Sequence, residues 1–188
     1  MEYPKIQTVF MRDDYGIIIP TQFTKPEFIW LKDCKFRAEE KVDGTNIRIE
    51  AHFDEEGRCT YGFNGRTERA IIPEHLLARL KDIVPNAEVL TDIFTACKDV
   101  DITIYGEGYG HKIQSNGSRY IKNDCSFILF DVKVGNWWLS RDDCYDIAKK
   151  LGVDIVPQLG YMTIMEAIKF VSDGFKYFIA EDSPLDAE

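Results

Sequence analysis

A lysine acts as a nucleophile only after losing its proton, so a catalytic lysine needs neighbours that hold it and shift its charge balance. Lys41 has such neighbours in the run Glu39-Glu40-Lys41-Val42-Asp43-Gly44-Thr45-Asn46-Ile47-Arg48. Alternation along an extended chain puts Glu40 on one face with Ala38 and Val42. A carboxylate on an apolar face is unfavourable unless something binds it. The residues admit two readings. Lys41 is poised to attack phosphorus once a metal and a phosphate chain rearrange the local charges, or it is a solvated lysine beside an Asp-Gly turn.

Three further stretches carry groups of chemical interest. Tyr105-Gly106-Glu107-Gly108-Tyr109-Gly110 sets three glycines among Tyr and Glu. Glycine there lets backbone approach a ligand closely, or marks a bulge or turn. Its spacing is not that of the dinucleotide-binding GxGxxG. In Phe127-Ile128-Leu129-Phe130-Asp131-Val132, alternation places Asp131 on the apolar face made by Phe127 and Leu129. An acid in that position is hydrogen-bonded for structural reasons or belongs to a site. Asn64-Gly65-Arg66-Thr67 is a turn presenting an arginine, either to solvent or to an anion.

These residues must be positioned by strands. Residues 36–42 and 45–53 read as two strands, the second with Ile47, Ile49, Ala51 and Phe53 on one face. Asp43-Gly44 between them suits a tight hairpin. Residues 58–64 add a strand. Leu76, Leu77, Leu80, Ile83 and Val84 form a helical stripe over 73–84, with Pro73 in its first turn. Asn86 caps a second helix over 87–98. Strands return at 101–107 and 126–134, with Gly135-Asn136 as a hairpin before Trp137. The strand at 126–134 is apolar on both faces and should be central. Ser140 caps a helix that ends before Gly152, and Thr163 with Glu166 forms a capping box for a helix ending near Gly174. Residues 175–188 run into an acidic stretch without a closing element. The pattern is an α+β domain with clustered strands and inserted helices.

Length and composition bound the rest. The 188 residues are enough for one domain, and 45% hydrophobic with 13% aromatic residues supports a packed core. The net charge of −9 argues against nucleic-acid binding through bulk charge, though not against a local basic groove. Neither a signal peptide nor a membrane span is legible. The five cysteines have no CxxC spacing, which disfavours a disulfide framework or a zinc knuckle and suits reduced thiols in a cytoplasm. The three histidines form no metal-ligand motif.

Taken in order, Lys-x-Asp-Gly-x-Asn (Lys41 to Asn46), Gly-Arg-Thr (Gly65 to Thr67), Tyr-Gly-Glu-Gly (Tyr105 to Gly108) and Phe-x-Leu-Phe-Asp (Phe127 to Asp131) resemble the covalent nucleotidyltransferase superfamily of ATP-dependent ligases and capping enzymes. Asn46 narrows the resemblance to the RNA ligase 2-like family, since DNA ligases and capping enzymes usually place Arg there. The resemblance runs from the opening MEYPKIQTVFMRD to the last residue. It implies an α+β nucleotidyltransferase domain of the ATP-grasp-like ligase adenylation type, with antiparallel sheets and inserted helices. It implies a single adenylyltransferase domain over 1–188, incomplete at the C-terminus.

The same resemblance implies a chemistry. Lys41 would attack ATP and carry AMP as a phosphoramidate. The AMP would pass to an RNA 5′-phosphate, and a 3′-hydroxyl would displace it to seal the strand. The cofactors would be ATP and Mg2+ or Mn2+, and the partners RNA ends or a nicked duplex. Glu107 would bind ribose and Phe130 would stack on adenine. Asn46 and Arg66 would lie near ribose and phosphates, with Arg48 a weaker member, since a solvated strand residue explains it as well. Asp43 and Asp131 would support the site or place metal, and Glu40 would flank the adenine pocket. Glu188 looks like the first residue of a fourth motif cut off before its glycine, and the family's Lys-x-Lys strand does not follow. A helper domain or chain would then supply the missing motifs. The alternatives are a DNA ligase or capping-type transferase, and a non-catalytic nucleotide- or RNA-binding remnant.

Overall fold

The computed structural model describes residues 2–174 and 178–180. Its elements in chain order are β1 (Phe10–Arg12), β2 (Ile18–Phe23), α1 (Glu27–Leu31), β3 (Phe36–Glu39), β4 (Thr45–Phe53), β5 (Cys59–Gly65), α2 (Glu74–Ile83), α3 (Ala87–Ile93), β6 (Val100–Gly110), α4 (Gly117–Tyr120), β7 (Cys125–Val134), β8 (Trp137–Trp138), α5 (Arg141–Leu151), β9 (Asp154–Ile155), β10 (Gln158–Met162) and α6 (Ile164–Ser172). Two compact units result. The larger holds residues 2–3, 41–157 and 178–180; the smaller holds 4–40 and 158–174.

The larger unit is built on a six-stranded sheet in the order β5-β4-β6-β7-β8, with β9 pairing parallel to β7. The other pairings in it are antiparallel. Ile47, Ile49, Ala51 and Phe53 of β4 point to one face, with Ile102 and Ile104 of β6 and Phe127, Leu129 and Val132 of β7. Helices cover that face with their own apolar stripes: Leu76 and Leu80 of α2, Leu90 of α3, and Cys144, Ile147, Ala148 and Leu151 of α5. Fully burying one such large side chain contributes about 1.5–3 kcal/mol, so these helices owe their stability to the sheet more than to propensity. The strand at 126–134 is internal, as its two apolar faces require. Asn86 caps α3, Ser140 and Asp143 form a capping box on α5, and Gly152 ends α5 in the left-handed region at φ 68°. The second helix is shorter than its apolar pattern suggests, stopping at Ile93 with Phe94 turned into the core.

The expected Asp43-Gly44 hairpin does not form. β3 ends at Glu39 and pairs with β10, while β4 pairs with β5 and β6. Residues 40–43 belong to no strand. Gly44 is not in the left-handed region that such a hairpin needs. Its glycine has a different cause: a Cβ there would overlap the Gly108 carbonyl oxygen and lie 2.8 Å from Glu107 Cγ. Only glycine lets this stretch lie so close to β6.

The run of glycines in 105–110 lies at a bulge, one of its expected readings. It is not a turn: it forms the last part of β6, which ends at Gly110. A Cβ on Gly106 would overlap the Phe127 ring, and one on Gly108 would overlap Leu76. The missing side chains make room for core packing. Opposite this run the register of β6 with β7 shifts: Tyr105 pairs with Asp131, but Gly106 pairs with Leu129. Phe130 is the extra residue, and β7 carries a β-bulge there.

In the smaller unit β1 and β2 form an antiparallel pair with Phe10 and Phe23 stacked at 5.4 Å. β3 and β10 form a second pair. The Thr163–Glu166 capping box starts α6 as expected. Residues 175–177 and 181–188, including Glu188, lie outside the described residues.

Candidate functional site

The face of the large sheet opposite the helices is polar, and period-two alternation decides what stands on it. β4 contributes Asn46, Arg48 and Glu50, and β6 contributes Thr103, Tyr105 and Glu107. Asn46 pairs across the ladder with Glu107, and Arg48 with Tyr105 on one side and Asn64 on the other.

Glu107 is the electrostatic centre of this face. Burial pushes its carboxyl up to about 7; Asp43 pushes the same way, while Lys41 and Arg66 pull it down. Those three influences fall off with distance, so Lys41, Asp43, Arg66 and Glu107 occupy one neighbourhood although they come from four stretches of chain. Beside Glu107, the Asn46 side-chain oxygen is buried and has no hydrogen-bond partner. A buried orphan acceptor is costly, and a ligand hydroxyl or amine would satisfy it. Lys41 and Arg66 themselves are exposed.

Arg48 is buried and not solvated: its side chain is 2% exposed. Nε donates to the Gly65 carbonyl at 2.9 Å, and a second nitrogen donates to Glu50 at 2.9 Å. Glu50 also accepts from Asn64 at 2.6 Å. Arg48 thus clamps the end of β5, and Arg66 follows the clamped carbonyl directly.

Asp131 also departs from expectation. The bulge at Phe130 breaks the alternation, so Leu129 and Val132 both enter the core while Asp131 stands on the polar face. Phe130 shares that face. Both contact Tyr3, whose hydroxyl donates to Asp131 Oδ2 and whose ring meets Phe130 edge-on at 4.9 Å. Tyr3 also meets Tyr105 at 5.1 Å and Trp138 at 5.7 Å. Glu40, in the smaller unit, is 2% exposed.

Three contributors escaped the reading of the sequence: Tyr3, Gln114 and Tyr120. Tyr120 is buried, and its hydroxyl accepts the Asp43 N–H at 3.1 Å. Gln114 Nε2 donates to the Gly44 carbonyl at 2.9 Å. None lies in a periodic segment, so only the rule that a buried tyrosine hydroxyl needs a partner could have flagged one of them.

A cavity of about 650 Å3 lies farther along the polar face, lined by Glu50, His52, Asp101, Thr103 and Lys133 among others. It includes none of the residues expected to bind nucleotide. Among the described residues no three His, Cys, Asp or Glu side chains converge as a metal site, and no helix is long and apolar enough to cross a membrane.

Comparison with known proteins bears on the fold and the family. No curated protein sequence matches the chain. Among solved structures it is similar to a variant of the Naegleria gruberi RNA ligase without ligand, at TM-score 0.61 and 19% identity over 94% of this chain and 50% of that one. A second variant of that ligase, with AMP and manganese, matches at TM-score 0.57 and 19% identity over 79% and 44%. An archaeal ATP-dependent RNA ligase matches at TM-score 0.56 and 18% identity over 92% and 40%. The chain therefore spans half the length of these structures or less, and the likeness concerns the fold. The RNA ligase family itself matches residues 35–185, from β3 past every residue of the polar face described above except Tyr3, and the chain belongs to that family.

Proposed function

We propose that this chain is the nucleotide-binding part of an ATP-dependent RNA ligase and that Lys41 carries AMP between ATP and RNA. The observation that supports this most is the neighbourhood of Glu107: a carboxyl raised to about 7, a buried orphan amide oxygen across the ladder from it, and the charges of Lys41 and Arg66 acting on it. Glu107 and Asn46 suit the hydroxyls of a ribose, which donate and accept. Arg66 and Lys41 suit the phosphates. Phe130 offers a ring for the base on the same face, and Asp131 positions Tyr3 against it. Glu40 flanks the lysine, and Asp43 adds negative charge beside it.

In the first step the deprotonated Lys41 Nζ forms a bond to the α-phosphorus of ATP as the bond to pyrophosphate breaks. The AMP then passes to an RNA 5′-phosphate, and a 3′-hydroxyl displaces it to seal the strand. Splitting one phosphoryl transfer into three lets one lysine serve as both acceptor and donor. A divalent ion, magnesium or manganese, bound with the phosphates of ATP would supply charge neutralisation there. The free thiols of all five cysteines fit a reducing cytoplasm.

The test is intact-protein mass after incubation with ATP and magnesium, with Lys41→Ala treated in parallel. The expected result is a gain of one adenylyl group on the wild-type chain and none on the variant. A wild-type chain that binds ATP yet stays unmodified would overturn the role of Lys41.

A further inference from the structure

The backbone that follows Lys41 lies outside any strand, so its polar groups need partners other than a ladder. Two come from the segment between β6 and β7, through the Tyr120 hydroxyl on Asp43 N–H and the Gln114 amide on the Gly44 carbonyl. That segment is itself held at several points. His111 N–H donates to the Asp124 carbonyl at 2.8 Å, closing its two ends together. His111 Nδ1 lies 2.9 Å from Ser118 Oγ, and His75 of α2 reaches the His111 carbonyl at 3.2 Å. Gly117 packs on the Gly110 carbonyl so tightly that a Cβ would overlap it. Tyr120 is 2% exposed, and its ring meets Tyr109 edge-on at 5.8 Å.

We propose that Tyr120 is a positioning residue for Lys41: its hydroxyl fixes the Asp43 peptide and so sets the direction from which Lys41 meets the reacting phosphorus. The inference rests on Lys41 as the nucleophile. A lysine has four rotatable side-chain bonds, so a fixed backbone removes a large part of its search. Attack on phosphorus needs near-contact geometry, and small displacements of the attacking group are expensive in rate. The packing of Tyr120 in the core of the larger unit fixes where the hydroxyl stands.

Tyr120→Phe removes the hydroxyl and keeps the ring. Two readouts separate this inference from the assignment of Lys41. The first is hydrogen exchange at the Asp43 amide in the 188-residue chain without nucleotide, expected to speed up about tenfold in the variant. The second is the single-turnover rate of AMP transfer to Lys41 at saturating ATP. It is expected to fall about tenfold while the Kd for ATP changes less than twofold. Gln114 remains in place in both proteins. An unchanged Asp43 exchange rate overturns the inference, and so does faster exchange with an unchanged transfer rate. Faster exchange in a chain whose wild type binds ATP yet carries no AMP supports the hold on the Asp43 peptide and rejects Lys41 as the nucleophile.

Discussion

Asn46 and Glu107 face each other directly across the β4–β6 ladder, one with a buried unpartnered oxygen and the other with a carboxyl raised to about 7. Both are desolvated: the Asn46 oxygen has no hydrogen-bond partner, and burial penalises the charged form of Glu107. Their adjacency places two unfavourable groups where one polar ligand could satisfy both.

Glu107 should make stability depend on pH in a defined direction. Its pKa is raised from 4.5 to about 7 on folding, so between those values the folded chain binds more protons than the unfolded chain. Stability contributed by the neutral carboxyl is present below pH 4.5 and lost as pH rises through 7. The loss is about 2–3 kcal/mol. Urea unfolding of wild type and Glu107→Gln at pH 5 and pH 8 checks this: the variant should gain on wild type by that amount between the two pH values.

The neighbours of Glu107 can be separated by charge. Lys41→Ala should raise the Glu107 pKa further, whereas Asp43→Asn and Arg66→Gln should lower and raise it respectively. Carbon-detected NMR titration of the Glu107 carboxyl reads each shift. No change in the Lys41 variant would mean that the ammonium does not act on this carboxyl. Lys41 is exposed, so the same variant should change stability by no more than about 0.5 kcal/mol.

Arg48 and Glu50 should behave as a coupled pair. Removing Glu50 leaves a guanidinium that is 2% exposed with one charged partner fewer. Glu50 is itself partly exposed, so Glu50→Ala should cost about 2 kcal/mol, below the range for a fully buried pair. Arg48→Met added to it should recover part of the loss. Urea midpoints of the four proteins of the cycle give the coupling.

Two glycine substitutions should differ sharply. Gly62→Ala in β5 meets nothing within 4 Å and should shift stability by less than about 1 kcal/mol. Gly44→Ala drives a methyl into the Gly108 carbonyl, which is backbone and cannot swing aside, and should cost more than about 2 kcal/mol. Thermal unfolding of the two variants side by side reads the difference.

Local patterns were legible where a single period governed a segment. The stripe of α2, the apolar face of β4 and the capping boxes or caps at Ser140, Thr163 and Asn86 follow from neighbours in the chain. The failures came where distant backbone decided the outcome. Asp43-Gly44 has the residues of a hairpin, but Gly44 is glycine because β6 lies against it. Asp131 and Leu129 alternate on paper, but an extra residue at Phe130 separates them. Gly106 and Gly108 invite a ligand by type, yet their space is filled by Phe127 and Leu76. For the candidate site, Lys41, Asp43, Asn46, Arg66 and Glu107 were legible as types in sequence. The holding groups Gln114, Tyr120 and Tyr3 were not, because nothing in their local sequence marks what they touch. The burial of Arg48 was not legible, because solvation is a property of the β4–β5 pairing and not of arginine on a strand.

The supernumerary residue in β7 gives that strand something like a reading frame. Deleting Phe130 would leave Leu129, Asp131 and Val132 alternating without interruption, so Asp131 would keep the polar face and Val132 the core. The strand can lose this one residue without turning its neighbours over. Removing Val132 instead would carry Lys133 toward the hydrocarbon. Among single-residue deletions in β7, loss of Phe130 should therefore spare the fold most, and loss of Val132 should be among the worst tolerated.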